Sequence, residues 1–272
     1  MQIEKKIRKI KCTNEWMGPT SKNLNHQFAS AFAQNIYNSK SIYSFIPKCA
    51  CSTMRLSIAI ANGLISDKSK INWIHSNNET FSANLKDLVT ADFTFVILRN
   101  PFLRIASTYL DKIVNTTFDQ ARVKESLLKI YSDINVDELT FKKFIELISI
   151  NDTLRKDIHW QPQSDFLVYE NYDLYVQFEN FKAQQNLIEE KCNLKIYDAR
   201  NLTLHGNDIF NQINDKNHTN TKPSEIAELR KMKNTPSLKS LYDKETKEMV
   251  TKLFLSDIRL YNNKFKTDCS IF

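Results

Sequence analysis

The stretch Ser41-Ile42-Tyr43-Ser44-Phe45-Ile46-Pro47-Lys48-Cys49-Ala50-Cys51-Ser52-Thr53-Met54 decides the fold. Its first six residues form an apolar run of strand length. The residues from Met54 to Asn62 read as a helix, with Gly63 placed to cap it. A strand that turns directly into a helix leaves the first helical amides unpartnered, and the helix dipole adds positive potential there. Such a turn is an anion site. Pro47 stiffens it, Lys48 adds a mobile charge, and Ser52 and Thr53 offer hydroxyls that can cap the helix. Cys49, Ala50 and Cys51 are small enough to let the main chain approach a ligand, a task glycine usually performs. A Walker A loop is excluded, because its lysine follows its glycines. The plain alternative is a capped buried helix with an incidental lysine. Cys49 and Cys51 have no second Cys/His pair at metal-binding spacing, so no metal is expected.

Working outward, a second junction repeats the pattern. Phe93 to Leu98 reads as a strand, Arg99-Asn100-Pro101 as the turn, and Phe102 to about Ile113 as a helix. Arg104 and Ser107 stand three apart and share a helix face. A guanidinium fork beside a hydroxyl suits a phosphate monoester, with an exposed salt-bridge site as the plain alternative. A lysine at one junction and an arginine at the other imply a ligand with two separate anionic ends.

The rest of the chain alternates in the same way. A leader over residues 1–40 carries a helical piece around Phe28 to Tyr37, and a weak helix is expected near Phe81 to Val89. Residues 118–150 turn helical, with Val123, Leu127, Leu128 and Tyr131 on one face and Phe141, Phe144, Ile145 and Ile148 on another. A third strand, Leu174 to Phe178, runs into a helix from Glu179 to about Cys192. The Asn-rich stretch 205–224 reads as a loop, followed by helices at Ser224–Lys233 and Lys244–Asn262. Strands alternating with helices predict an α/β fold with a central parallel sheet covered on both faces and extra helices. One domain is expected over residues 1–272: a core at 41–200, a helical insert at 115–170, and a C-terminal loop and helices at 205–272.

Composition narrows the partners. Three glycines and six prolines argue against a turn-rich β-sandwich or barrel, and 42% hydrophobic residues support a sizeable core. A net charge of +7 favours an anionic partner. No segment approaches the roughly 18 apolar residues of a membrane span. Five cysteines at irregular positions make a poor disulfide framework, so a reducing cytoplasm is the simplest home. The basic run Lys5 to Lys11 reads as a solvated face, and Trp160, Phe102 and Tyr109 as core.

Taken together, the two junctions resemble the sulfotransferases that use 3′-phosphoadenosine 5′-phosphosulfate (PAPS), above all the Golgi carbohydrate sulfotransferases of the chondroitin 4-O type. Pro47-Lys48-Cys49-Ala50-Cys51-Ser52-Thr53 looks like that family's 5′-phosphosulfate loop, typically P-K-x-x-C-T-N. Phe95 to Tyr109 looks like its 3′-phosphate motif, typically F-V-R-x-P-F-x-R-L-x-S-A-Y. His159-Trp160-Gln161, with Tyr172-Asp173-Leu174 through Phe178-Glu179, resembles its H-W-x…Y-D-x-x-x-x-[FY]-E block. Asp257-Ile258-Arg259-Leu260-Tyr261 resembles its closing element. The order holds across roughly residues 41–262. The Golgi enzymes carry a cysteine pair after H-W and a membrane anchor. Phe166 to Asn171 contains no cysteine and no anchor is read here, which implies a soluble, bacterial-type member.

The resemblance implies a P-loop-like three-layer α/β/α fold and transfer of a sulfuryl group from PAPS to an acceptor hydroxyl, with a saccharide as acceptor and no metal. Backbone amides of residues 49–53, with Ser52 and Thr53, would hold the 5′-phosphosulfate. Lys48 would neutralise charge on the bridging oxygen, and Arg99 and Ser107 would hold the 3′-phosphate. His75, between the two cofactor motifs, and His159, in the H-W block, are the candidate bases, with Glu79 and Asp157 behind them. Two other classes stay open. A non-catalytic relative would bind PAPS or its desulfated product PAP without transfer. A basic nucleic-acid binder would show steeply salt-dependent affinity, and no recognition motif supports it.

Overall fold

The computed structural model describes residues 7–13, 15–114, 125, 127, 135–203 and 209–271. Among them the strands are β1 (Ala33–Ile36), β2 (Ser41–Ser44), β3 (Phe93–Leu98), β4 (Leu174–Gln177), β5 (Asn211–Ile213) and β6 (Asn234–Pro236). The α-helices are α1 (Leu24–Ala31), α2 (Cys51–Ala61), α3 (Trp73–Ser76), α4 (Leu85–Thr90), α5 (Pro101–Tyr109) and α6 (Phe141–Ile150). They continue as α7 (Asp152–Arg155), α8 (Phe181–Cys192), α9 (Arg200–Thr203), α10 (Pro223–Lys231), α11 (Lys244–Leu253) and α12 (Leu255–Phe265). Two compact units result, Met1–Leu98 with Gln163–Thr203, and Arg99–Pro162 with Leu204–Phe272. The helical face predicted from Val123, Leu128 and Tyr131 lies outside the described residues.

The first unit is built on a four-stranded sheet of order β1-β2-β3-β4. β2, β3 and β4 run parallel, with Ser44 opposite Val96 and Leu98 opposite Gln177. β3 is buried from Thr94 to Leu98, the continuous apolar strand expected of a parallel sheet covered on both faces. The sheet is not wholly parallel, because β1 adds an antiparallel edge to β2. The helix predicted around Phe28 to Tyr37 stops at Ala31, and Ala33–Ile36 form β1 instead. All four of those residues are buried, and pairing with β2 overrides their local helical spacing.

Local chemistry sets the element ends. α2 closes in a Schellman motif: Gly63 takes φ +79, its N–H donates to the Ile60 carbonyl, and the Leu64 N–H donates to the Ala59 carbonyl. α4 opens with a capping box between Asn84 and Asp87. Arg8 is buried rather than part of a solvated basic face. It pairs with Asp173 at 2.5 Å and donates to the carbonyls of Ala91 and Asp92, fastening the N-terminal segment to the β3–β4 edge.

The second unit packs helices around aromatic side chains. Tyr109 meets Phe141 at 5.3 Å, Phe141 meets Tyr242 at 5.0 Å, and Phe144 meets Trp160 at 5.3 Å, each nearly edge-on. Phe102, Tyr109 and Trp160 are fully buried, as read from the sequence. The stretch taken for a loop over 205–224 contains β5, which pairs parallel with β6. The helix predicted over Lys244–Asn262 is two helices, broken at Phe254, which is buried with φ −115. No helix among the described residues is long and apolar enough to cross a membrane.

Candidate active site

Because β2 and β3 are parallel neighbours, the chain leaves both at the same, carboxyl edge of the sheet, where open α/β sheets bind ligands. After β2, Phe45 and Ile46 stay buried and the turn Pro47–Ala50 leads into α2. Lys48 has φ +71 and Ala50 has φ +56, left-handed conformations that glycine favours. The expectation that small residues do glycine's work here is realised in the backbone itself. Cys49, between them, turns inward. Its N–H donates to the Ile46 carbonyl, and its fully buried thiol donates to Gln163 Oε1 at 3.3 Å.

Ala50 is the N-cap of α2, and among the described residues no side chain caps the helix. The expected caps do not form. Thr53 instead accepts the Ala199 N–H at 3.1 Å, and Ser57, one turn on, accepts the Tyr197 N–H at 2.9 Å. These two hydroxyls clip the segment before α9 alongside α2. Ser52 and Cys51 are half-buried at the helix mouth, and the first-turn amides of Cys51, Ser52 and Thr53 face outward from the helix end. The result is an uncapped helix N-terminus with a lysine in the turn before it, a donor set that fits a phosphosulfate. His75 sits exposed on the single-turn helix α3, which packs against α2.

The second junction is built differently. Asn100 Oδ1 accepts the N–H groups of Phe102 and Leu103, and its Nδ2 donates to the Cys269 carbonyl, so this helix mouth is closed by its own side chain. Arg99 is half-buried ahead of it, and Ser107 is buried two turns along α5. Arg104, on the face of Ser107, donates to the Gln161 carbonyl at 2.8 Å. Thr108 donates to the His159 carbonyl at 3.1 Å. These two bonds fasten the His159-Trp160-Gln161 turn to α5, and the Trp160 indole N–H donates to the Leu154 carbonyl.

On that turn His159 Nδ1 lies 2.7 Å from Asp157 Oδ1, which also accepts the His159 backbone N–H at 2.8 Å. Burial opposes ionisation of Asp157, but the bonds from His159 and the charge of Lys112 outweigh it and hold the carboxyl below its usual range. With Nδ1 held, the other ring nitrogen of the half-exposed His159 is the one left for proton transfer. Lys48 to Thr53 and His75 thus belong to the first unit, and Arg99, Ser107 and His159 to the second. His218 is fully buried, its ring bonded to Asp215 and Thr221.

Sequence reasoning missed the clip from Thr53 and Ser57, and it named Asp157 as a candidate base without its orienting bond to His159. The i, i+4 spacing of the two hydroxyls was a visible signal, and so was the Asp-x-His spacing.

A sulfotransferase family model matches residues 37–265. Human carbohydrate sulfotransferase 9 is 29% identical over 167 residues, 54% of this chain and 38% of that protein. Human carbohydrate sulfotransferase 14 is 23% identical over 167 residues, 55% of this chain and 43% of that protein. The chain therefore spans less than half the length of these curated relatives. No solved structure matches it. The family match takes in the uncapped lysine turn, the arginine junction and the histidine–tryptophan turn, and the chain belongs to the sulfotransferase family.

Proposed function

We propose that this chain is a PAPS-dependent O-sulfotransferase with a saccharide hydroxyl as acceptor, folded as one P-loop-like three-layer domain. The observation that carries the reading is the uncapped N-terminus of α2, entered through Lys48 and Ala50 in left-handed conformations at the carboxyl edge of the parallel strands. The printed names of the two human relatives support a carbohydrate acceptor. When bound, PAPS supplies an activated sulfuryl group.

In this reading the amides of Ala50, Cys51, Ser52 and Thr53, with the Ser52 hydroxyl, bind the 5′-phosphosulfate. Cys49 acts through its backbone shape alone. Lys48 neutralises negative charge on the departing phosphate oxygen, the electrostatic help that group transfer of this type most needs. Arg99 and Ser107 hold the 3′-phosphate, and Arg104 braces the His159 turn. The acceptor proton goes to His159, oriented by Asp157, or to His75 on α3. The Asp157–His159 bond favours the first.

The test is a titration of purified protein with PAP, followed by a screen of saccharide acceptors with radiolabelled PAPS. Binding with transfer to a hydroxyl is expected. Binding without transfer to any acceptor class favours a non-catalytic relative, and no binding of PAP overturns the reading. Lys48→Ala is expected to lower turnover about a hundredfold, roughly 3 kcal/mol of barrier, with the fold intact by circular dichroism. Turnover at the wild-type rate would remove Lys48 from the mechanism.

A further inference from the structure

Arg55 lies one turn beyond Cys51 on α2 and is 8% exposed. A guanidinium stays charged throughout the physiological range, and a buried charge needs compensation. Arg8 and Arg230, also buried, each face a carboxylate: Arg8 bonds Asp173, and Asp111 lies near Arg230. Arg55 does not. It donates to the Ile74 carbonyl and to Asn78 Oδ1, and its guanidinium lies 5.1 Å from the centre of the Phe45 ring. All three partners are neutral, and the Cys51 thiol and the Tyr43 hydroxyl lie close by.

The position of this charge is informative. Phe45 is the second residue before Pro47, and Cys51 opens α2, so the guanidinium stands beside the anion turn. The helix dipole and Lys48 already make that turn positive. A third positive element without a counter-charge is costly in the empty protein and favourable once an anion arrives. We propose that Arg55 is a second cation of the anion site and that a bound phosphate or phosphosulfate supplies its counter-charge. This rests on the reading of the α2 turn as a phosphosulfate loop. The same guanidinium holds Ile74 and Asn78, which bracket His75, so it also couples anion binding to the placement of α3.

The experiment titrates PAP calorimetrically into wild type and the variants R55K, R55Q and N78A. R55Q keeps amide donors for the Ile74 carbonyl and Asn78 but has no charge. R55K keeps the charge but loses the fork. N78A keeps the charge and drops one tether. R55Q is expected to weaken PAP about tenfold or more, while R55K and N78A stay within about threefold of wild type. R55Q binding PAP like wild type overturns the proposal. So does N78A losing as much affinity as R55Q, which would mark a packing role. Wild type that fails to bind PAP overturns the cofactor reading and this proposal with it. Binding by wild type with no charge dependence at residue 55 overturns this proposal alone.

Discussion

Lys48 and Ala50 hold backbone shapes that cost an ordinary residue roughly 1–2 kcal/mol each. Such strain persists at functional sites when the surroundings enforce it. Here the buried Pro47 and Cys49 do so from within the turn. Ala50→Gly is therefore expected to stabilise the protein by up to about 1 kcal/mol, read as a higher urea midpoint at unchanged slope. A lower midpoint would show that Ala50 is not strained. A second prediction concerns Asp157. A carboxyl whose folded pKa is depressed stabilises the fold above its unfolded value, near 3.9. That contribution disappears as pH falls through the folded pKa. Wild type should thus lose stability more steeply than Asp157→Asn below about pH 4, and matching acid limbs in urea titrations at several pH values would refute the pairing. The turn's small residues were legible from sequence as a glycine substitute. That Cys49 faces Gln163 and Thr53 serves Ala199 was not, because those partners lie 114 and 146 residues away and no local rule carries them.

α2 shows what a local rule does carry. Its start at an apolar strand and its end at Gly63 were both readable, since a Schellman closure needs a left-handed residue and glycine supplies one. An added Cβ at Gly63 meets nothing within 4 Å, so Gly63→Ala has only a backbone cost. The expected loss is about 1 kcal/mol in chemical denaturation, and a neutral result would mean the helix end relaxes without penalty. β1 is the opposite case. In Ala33-Gln34-Asn35-Ile36 only Ile36 favours a strand, and the segment becomes one because Ser41–Ser44 offers an edge and the sheet buries all four residues. The break at Phe254 escaped notice for a related reason. The apolar spacing continues across it, so nothing in the local pattern marks the interruption at the buried Phe254.

At the scale of the whole molecule, a net charge of +7 makes any polyanion attractive, so selective recognition must come from how many phosphates a ligand presents and where. A ligand bound only by the folded state adds RT ln(1 + [L]/Kd) to stability, about 2.7 kcal/mol at a free concentration one hundredfold above Kd. For a chain of this size that is a rise in melting temperature of roughly 5 °C, and PAP is expected to produce it. Adenosine 5′-monophosphate shares the 5′-phosphate but lacks the 3′-phosphate assigned to Arg99 and Ser107. At the same concentration its shift should be smaller, and Arg99→Ala should reduce the PAP shift to that level while leaving the monophosphate shift unchanged. Simple charge attraction predicts something else: shifts that scale with ligand charge, collapse together in about 0.5 M salt, and fall equally for both ligands when any surface lysine is removed. Scanning fluorimetry with the two nucleotides at two salt concentrations separates the cases. Equal shifts for PAP and the monophosphate would take Arg99 and Ser107 out of the cofactor site, because a 3′-phosphate gripped by a guanidinium and a hydroxyl cannot be energetically silent.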